Sequence, residues 1–588
     1  MWHHEPWADE AQAWLLARDC GIADLWTGLL KYEGTPGLWH TVLHMLTQAG
    51  APYGALGITS GVLGLTAAWL LLRYAPLPLW IRVLLPFTYF VAYQYAVISR
   101  SYSLLLPLLL GCAITYRSAE RHLTRFTVLC GLIAAVSVHG FILSVCIWLS
   151  FHYAAARRRN LSSNGVKRFA VAGALYVCAL AFLAFSAWPA SDVTFPYRRT
   201  FSWDLLFHAT VTTFSEAFTG NALVSFAVTG LSLPFLRKGG GLVVFALSAV
   251  LLCGMGAFIH VQVWHLGILF MAWLFAIWIA GYQVRLDKSA MAALVIVIAT
   301  QCYWTARSMH YDWYYQYSGS REAARYLQAA SLRRQDVFFA GYSSTAVQPY
   351  LSTDISGGAG FRGAPAYWRW APSNHRADPG AVFSGPSPEY VLAGYSSADQ
   401  RRQWSRALEG GGYKMVRHFE GNLFWRTHIL EPESFDLYRS GERVATLASR
   451  VSMADPAAAA QLPDGFFPVE SNAWRWTSRR FSVLLASPPG AGDAGATLEL
   501  HLSIPETEIS RGGRIKLSAS VGDRALAPET FSKSGTYVYS RAVPADLLKS
   551  SAVTIHFNVD KSVPPSAADA RELGVIVTQA GLLTRQSR

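Results

Sequence analysis

Long uncharged apolar runs dominate the first half of the chain. They recur before residue 305, and each is about 16–20 residues long, close to the roughly 20 residues that a helix needs to cross a hydrocarbon core about 30 Å thick. No such run follows Trp304. The pattern therefore predicts a multi-span membrane region over residues 36–304. The predicted spans are 36–50, 54–73, 79–97, 101–116, 126–155, 169–188, 220–236, 242–258, 264–281 and 289–304.

Two of the predicted spans have an unusual length. The uncharged run 126–155 would be about 45 Å long as one helix, because an α-helix rises 1.5 Å per residue. Since His139 and Gly140 lie at its middle, we expect a hairpin of two short helices with a polar tip at His139. The run 36–50 reaches only about 22 Å, so it is the candidate for an incomplete span.

Residues 1–35, before the first predicted span, are acidic and rich in aromatic side chains. Helical periodicity over Asp9–Leu30 predicts one or two amphipathic helices at the membrane interface. Residues 1–35 lie on the same outer side of the membrane as the soluble part only if one of the early apolar runs does not cross the membrane. The short run 36–50 is the candidate for that segment.

The part of the chain after Trp304 changes from long apolar runs to short elements. Strands at Val337–Ala340 and Tyr390–Gly394 and a helix at Ala398–Leu408 predict a small α/β domain over residues 305–429. From residue 430 to 588, alternating apolar and polar positions predict an antiparallel β-sandwich. Its clearest predicted strands are Ala496–Ile504, Arg514–Val521, Thr536–Arg541, Ala552–Val559 and Leu573–Thr578.

The net charge of +13 follows from basic loops between the apolar runs. This distribution is typical of cytoplasmic loops in membrane proteins. The sequence also shows no basic, aromatic face of the kind that binds nucleic acid, so we expect no nucleic-acid partner. The soluble part then lies on the outer side, which is the periplasmic side if the Ala-, Gly- and Trp-rich chain belongs to a bacterial inner membrane. The basic loops are Arg117–Arg125, Arg157–Arg168, Arg237–Lys238 and Arg285–Lys288.

The seven cysteines give no sign of a metal centre. None follows Cys302, and no Cys-x-x-Cys pair occurs, so the sequence predicts no zinc site and no disulfide in the soluble part. The cysteines fit buried thiols among the membrane helices.

Carboxylates cluster with aromatic residues in front of the first span. Asp9, Glu10 and Glu33 lie beside tryptophans and next to a membrane surface. They fit either the solvated acids of an interfacial helix or a site that handles protons. Arg100 and Tyr102 sit where two apolar segments join, and an arginine there either snorkels to the interface or binds an anion.

Three further polar residues are candidates for ligand contacts. Arg198 and Arg199, in the predicted outer loop FPYRRTFSW, can meet a phosphate or a lipid headgroup. His265 begins a predicted span, where a histidine is either an interfacial side chain or part of a site.

Several strings resemble motifs of the C-type membrane glycosyltransferases, the superfamily of protein mannosyltransferases and aminoarabinose-lipid transferases. DEAQAWLLARD followed by YEGTPGLWH resembles the first outer loop of that superfamily. ISRSYSLLL resembles an Arg-x-Tyr-x-Leu motif that many bacterial members carry after the fourth segment, and VHGFIL resembles their short hairpin with a polar tip. SGSREAARYL resembles the helix that opens their outer soluble domain. Together these strings cover residues 5–330.

The resemblance implies a reaction and assigns residues to it. Members take a sugar from a polyprenyl phosphate or diphosphate at the outer membrane face, so Asp9 or Glu10 is implied as the catalytic carboxylate that accepts the proton of the acceptor hydroxyl. Arg100, with Arg198 or Arg199, is implied to hold the leaving phosphate. Glu33, Tyr102, His139 and His265 are expected to contact substrate. The acceptor stays undefined as a lipid, a glycan or a protein.

The chain departs from the superfamily pattern at three places. The first transmembrane helix of the family is not present before Asp9, the usual HPP-like turn reads Thr35-Pro36-Gly37, and the Arg-Pro-Tyr form reads Arg100-Ser101-Tyr102. Relatives differ in whether they need a divalent metal, so the resemblance implies no certain cofactor.

The C-terminal strings FFPVESNAWRWTSRRFSVLL and DARELGVIVTQAGL resemble a β-sandwich appended to bacterial glycosyltransferases and surface-polysaccharide proteins. Trp474 and Trp476 can stack on sugar rings there, or complete the domain core. Two other functions fit the chain as a whole. One is a transporter or flippase of a lipid-linked glycan, and the other is a non-catalytic membrane scaffold with a carbohydrate-binding domain. Few charges within the spans and no internal repeat favour the enzyme.

Overall fold

The structure is a computed structural model. It describes residues 3–157, 163–194, 200–259, 261–351, 361–383, 387–441, 447–522, 524–550, 552–564, 569 and 571–584.

Helices occupy most of the first part of the chain, up to residue 329. They are α1 (Ala8–Asp19), α2 (Leu38–Gln48), α3 (Ala55–Tyr74), α4 (Tyr102–Tyr116), α5 (Leu123–Val136), α6 (Val138–Arg157), α7 (Ser163–Ala187), α8 (Trp203–Phe218), α9 (Ala222–Gly239), α10 (Leu242–Phe258), α11 (Gly267–Gly281), α12 (Lys288–Tyr314) and α13 (Ser320–Ala329).

Within the described residues, five helical segments are long and apolar enough to cross a membrane, and the bent pair α8 and α9 makes up to six. Helices α4, α5 and α10 are apolar but shorter. The chain is therefore a multi-pass membrane protein. The five segments are Ala55–Tyr74, Val138–Ala156, Gly165–Ala187, Val263–Gly281 and Lys288–Tyr314.

The hairpin expected at His139 is confirmed. Helix α5 ends at Val136, and α6 begins at Val138 after an extended Ser137. The two helices lie against each other, since the Ser144 hydroxyl donates to the Cys130 carbonyl at 2.6 Å. Ser137 accepts a hydrogen bond from the Gly140 N–H at 3.0 Å, which satisfies one free donor at the start of α6.

The predicted span 79–97 is wrong as a single helix. It breaks into short helical pieces at Leu79–Leu84, Leu85–Phe87 and Phe90–Gln94. Pro86 explains the first break, because proline has no N–H for an internal helical bond and its ring collides with the preceding turn. The segment lies inside the protein, where Tyr89 is fully buried.

Helix α8 is not among the predicted spans, because Asp204 and Glu216 interrupt its apolar pattern. It runs into α9 through a bend of 75°. Gly220 lies at this bend with φ +77°, a left-handed conformation that glycine adopts without strain. Helix α9 then starts with Asn221, whose side chain accepts a hydrogen bond from the Val224 N–H at 3.1 Å.

The α/β domain contains a four-stranded sheet in the order β1-β2-β6-β3. Only β1 and β2 are parallel, and β6 runs antiparallel to both β2 and β3. Its last strand, β6, lies beyond the predicted domain end at residue 429. The elements are β1 (Val337–Ala340), β2 (Tyr390–Tyr395), α14 (Ala398–Gly410), β3 (Tyr413–Phe419) and β6 (Ser434–Ser440).

A separate hairpin, β4 (Asn422–Trp425) and β5 (His428–Pro432), connects this domain to the membrane helices. Phe424 and Trp425 are buried in the same apolar cluster as the helices. Between the two strands, Arg426 pairs with Glu216 of α8 at 2.9 Å and lies over the Trp304 ring at 3.8 Å from its centroid. The hairpin is therefore anchored in the membrane region by packing and by charge.

The C-terminal strands form a nine-stranded sheet with the central order β12-β11-β14-β9-β15-β10-β13. The two ends of this order meet, because the Tyr539 hydroxyl of β13 donates to the Ala527 carbonyl of β12 at 2.9 Å. The sheet is thus nearly closed around its core, and the predicted β-sandwich class is confirmed. The strands are β7 (Arg450–Ser452), β8 (Asp464–Glu470), β9 (Trp474–Ala486), β10 (Ala496–Ile504), β11 (Ile515–Val521), β12 (Arg524–Phe531), β13 (Gly535–Val543), β14 (Ala552–Val559) and β15 (Ile576–Thr584).

Candidate active site

A cavity of about 630 Å³ lies where the ends of the membrane helices meet the α/β domain. One wall is apolar and comes from helix ends, with Phe141, Leu183, Met255 and Ile259. The other wall is polar and comes from α1, from the residues that begin or directly precede α2, α4, α6 and α11, and from the α/β domain. The titratable residues of the cavity lining are Asp9, Glu33, His40, Arg100, Tyr102, His139, His265, Tyr342, Glu431 and Glu433.

Helix α1 supplies the first carboxylate of the cavity. The helix was expected to lie at the interface with an exposed polar face, but the structure buries nearly all of it. Ala11 packs against the α/β domain, and Trp14 packs against α2. Glu433 accepts a hydrogen bond from the Ala8 N–H at 2.9 Å, so the α/β domain also covers the first turn of the helix.

Asp9 forms the central polar contact of the cavity with Arg100. The Asp9 Oδ2 lies 2.9 Å from Arg100 Nη2, and its Oδ1 accepts a hydrogen bond from the Tyr342 hydroxyl at 2.7 Å. The pair joins α1, the segment before α4 and the α/β domain. Charge-assisted contacts of this kind are stronger than neutral hydrogen bonds, so they fix the carboxylate in the cavity.

Arg100 lies among aromatic rings. Its guanidinium is 5.6 Å from the Trp7 ring centroid, 5.4 Å from that of Trp264 and 6.0 Å from that of Tyr102. Each distance permits an attraction between the cation and the ring. The Arg100 Nη1 atom is buried and has no hydrogen-bond partner among the described residues. A buried donor without a partner is costly, so this atom is available for an anion in the cavity.

Glu10, the neighbour of Asp9, is fully buried but does not line the described cavity. Its Oε2 accepts hydrogen bonds from His4 at 3.0 Å and from the Trp7 N–H at 3.2 Å, and its Oε1 accepts from the Ser99 N–H at 2.5 Å. These bonds tie α1 to the turn that carries Arg100. Glu10 therefore positions the cavity residues, and the structure brings Asp9 alone of the two acids into the cavity.

Glu33 ends a short helix, Leu30–Glu33, that lies between α1 and α2, and it lines the cavity. Gly34, with φ +60°, reverses the chain directly after it. The Glu33 Oε1 accepts a hydrogen bond from Gln12 at 2.8 Å. Burial raises the pKa of Glu33 to about 7, against the lowering effect of the Gln12 bond. At neutral pH the group is therefore able both to donate and to accept protons.

Two cavity acids were missed in the sequence. Glu431 lies on β5, Glu433 directly follows that strand, and both line the cavity. Burial raises the pKa of Glu431 to about 7 and that of Glu433 well above its usual range. The available signal was the string Glu431-Pro432-Glu433, which places two acids directly before the apolar strand at Ser434–Ser440.

The structure also brings three predicted contact residues together. The rings of His139 and His265 lie 4.6 Å apart, and Tyr102 is 5.6 Å from His265 and 6.2 Å from His139. His139 Nε2 is buried without a partner in the described part of the chain. These side chains form the junction between the apolar wall and Arg100.

No protein-family model matches the chain, and no curated protein matches it. Among solved structures, the chain is similar to the arabinosyltransferase EmbB from Mycobacterium smegmatis, with a TM-score of 0.33 and 12% sequence identity. The match covers 99% of this chain and 63% of that one. At this score and identity, the likeness assigns no activity and no residue role to the chain.

The remaining predicted contacts lie away from the described cavity or outside the described residues. Arg198 and Arg199 fall within 195–199, which the structure does not describe. Trp474 and Trp476 are half-buried on strand β9 of the C-terminal sheet and do not line the cavity. The described residues contain no group of three or more His, Cys, Asp or Glu that could hold a metal ion.

Proposed function

We propose that the chain is a membrane glycosyltransferase that takes a sugar from a polyprenyl-phosphate-linked donor. The acceptor is a hydroxyl group of a lipid, a glycan or a protein at the outer face of the bacterial cytoplasmic membrane. The observation that carries the proposal is the Asp9–Arg100 contact of 2.9 Å inside a cavity with one apolar and one polar wall.

The two charged groups suit the two ends of a glycosyl transfer. The acceptor oxygen attacks the anomeric carbon and forms the new glycosidic bond, while its proton passes to the Asp9 carboxylate. The bond from the anomeric carbon to the phosphate oxygen breaks, and the phosphate leaves with the electron pair. Arg100 stabilises the negative charge of this leaving group, with the free Nη1 as one donor.

The shape of the cavity suits a substrate that is half lipid and half sugar. Leu183, Met255 and Ile259 line the side formed by the membrane helices, where a polyprenyl chain leaves the bilayer. The carboxylates line the opposite side, formed by α1, the segment after it and the α/β domain, where a sugar is hydrogen-bonded. Tyr102, His139 and His265 lie at the boundary between these sides and contact the phosphate or the first sugar atoms.

Substitution of Asp9 tests this proposal. Membranes that contain Asp9→Asn are incubated with a panel of radiolabelled polyprenyl-phosphate sugars, and label in lipid, glycan and protein fractions is measured. We expect transfer to fall by at least about a hundredfold, since a positioned base contributes about 10²–10⁴ in rate. Asp19→Asn, at the exposed end of the same helix, is the matched control and keeps the wild-type rate.

Either of two results contradicts the proposal. One is full transfer by a stably inserted Asp9→Asn protein, which removes Asp9 from the reaction. The other is no transfer by the wild type with any sugar of the panel, which removes the activity.

A further inference from the structure

The described lining of the cavity contains more acidic side chains than arginine and lysine side chains. Asp9, Glu33, Glu431 and Glu433 line it, whereas Arg100 is the only arginine or lysine among its described lining residues. Arg100 is already paired with Asp9 at 2.9 Å. The other three acids have no cation of their own in the described lining, so an anionic group near them meets no opposite charge.

Glu431 is the acid most open to a ligand. It is partly exposed, and its side chain makes no hydrogen bond or ion pair within the described part of the chain. Glu433, in contrast, is engaged by the Ala8 N–H at 2.9 Å, and Glu33 by Gln12 at 2.8 Å. Glu431 is therefore free to meet a substrate group, and the anchored β4–β5 hairpin fixes its position.

Partner-free buried groups elsewhere in the lining are an independent sign that the cavity takes a polar ligand. His40 and His139 are 6% and 9% exposed, and each has a ring nitrogen with no hydrogen-bond partner among the described residues. Both residues line the cavity. Buried polar atoms are rarely left without a partner, so hydroxyl groups of a bound ligand are the expected partners.

We infer, resting on the proposed function, that the cavity selects a donor whose sugar carries no negative charge of its own. The donor phosphate is held at Arg100, and the sugar lies against Glu33 and Glu431. An uncharged sugar exchanges hydrogen bonds with these carboxyl groups in either protonation state. A sugar carboxylate there is repelled by an ionised Glu431, or loses its hydration without a compensating cation among the described lining residues.

A matched pair of donors tests the inference. Polyprenyl-phosphate glucose and polyprenyl-phosphate glucuronic acid differ only at C6 of the sugar, which carries a hydroxymethyl group in glucose and a carboxylate in glucuronic acid. Binding to the full-length protein in lipid nanodiscs is followed by tryptophan fluorescence, because Trp7, Trp264 and Trp370 line the cavity. Transfer is measured in parallel. We expect the glucose donor to bind at least tenfold more tightly than the glucuronic acid donor.

The Glu431→Gln variant tests whether Glu431 causes the preference for the glucose donor over the glucuronic acid donor. The variant removes the charge of the side chain and keeps its hydrogen-bonding capacity. We therefore expect the ratio of the two donor affinities to fall severalfold, mainly because the glucuronic acid donor binds more tightly. Glu420→Gln, an exposed residue just before the same hairpin, is the control and retains the wild-type ratio.

The outcomes separate the inference from the proposed function. Equal or tighter binding of the glucuronic acid donor overturns the inference, as does an unchanged ratio in Glu431→Gln. Selective binding of the glucose donor without any transfer supports the inference and counts against the glycosyltransferase reaction. Binding of neither donor overturns both.

Discussion

The Glu433 side chain accepts a hydrogen bond from the Ala8 backbone N–H at 2.9 Å. The contact connects the α/β domain to the first turn of α1, where helical N–H groups have no partner within the helix. Asp9 is the next residue of that turn, so the position of the central cavity carboxylate depends on a residue of a distant part of the chain.

Glu433→Ala is expected to destabilise the protein by about 1–3 kcal/mol, because it leaves a buried N–H without an acceptor. Glu433→Gln is the matched variant. Burial raises the pKa of Glu433 well above its usual range, so a neutral amide with the same shape keeps the acceptor and the stability. Thermal unfolding in detergent measures both variants. An equal loss of stability in Glu433→Ala and Glu433→Gln would show that the charge of Glu433, rather than its hydrogen bond to Ala8, stabilises the protein.

Tyr342→Phe is expected to lower the rate of transfer by about tenfold without unfolding the protein. The variant removes the hydroxyl that donates to Asp9 Oδ1 at 2.7 Å, and bonds to charged groups contribute about 1.5–3 kcal/mol. Arg100 still holds the other Asp9 oxygen. Tyr326→Phe, in the same domain but outside the described cavity lining, is the control. A wild-type rate for Tyr342→Phe would mean that this bond does not orient Asp9.

We expect the folded protein to lose stability at alkaline pH because of the buried His4 side chain. It lies 3.0 Å from both Glu10 and Asp312. Burial lowers its pKa, but the charges of Asp312 and Glu10 outweigh burial and raise the pKa from 6.5 to about 10. The folded state thus binds the proton more tightly than the unfolded state. Its contribution is complete below pH 6.5 and is lost as the pH rises towards about 10.

The melting temperature of the wild type should therefore fall as the pH rises across this alkaline range. The melting temperature of His4→Gln should be lower at neutral pH and should fall less steeply across the same range. Circular dichroism melts at several pH values measure both slopes. Parallel slopes for the two proteins would exclude His4 as the titrating group.

We expect alanine substitutions at two glycines, one at the bend between α8 and α9 and one within α9, to change stability differently. Gly220→Ala puts a side chain at φ +77° and a Cβ atom 3.2 Å from the Trp304 ring, so we expect a loss of about 1–2 kcal/mol. Gly230→Ala, within α9, meets nothing within 4 Å and is expected to be neutral or to stabilise by about 0.5–1 kcal/mol. Thermal unfolding compares the two, and an equal effect would mean that the bend tolerates a side chain.

The sequence could predict the features that local pattern determines. Apolar length indicated most of the membrane helices, and the uncharged run around His139 indicated a hairpin. Asp9 and Glu33 were candidates because they cluster with aromatic residues before the first span, and Arg100 because an arginine between two apolar segments is costly. The structure places all three in one cavity.

Other features depend on contacts between distant positions. Asp9 and Glu10 are neighbours on a helix and point in different directions, so only the packing around α1 decides which one reaches the cavity. Glu431 and Glu433 lie more than 400 positions from Asp9, and no local pattern indicates that approach. Helix α8 was missed for the same reason, since the partner of its Glu216 is Arg426 of the hairpin.

The 425 positions between Ala8 and Glu433 impose an order on biosynthesis. A ribosome makes the residues of α1 first and those of the hairpin long afterwards, so the nascent helices insert while the cavity still lacks one wall. A product that stops before residue 431 has Asp9 and Arg100 but neither Glu431 nor Glu433. The complete pocket is thus a property of the finished chain, and an interrupted translation leaves a membrane protein with an open, incomplete site.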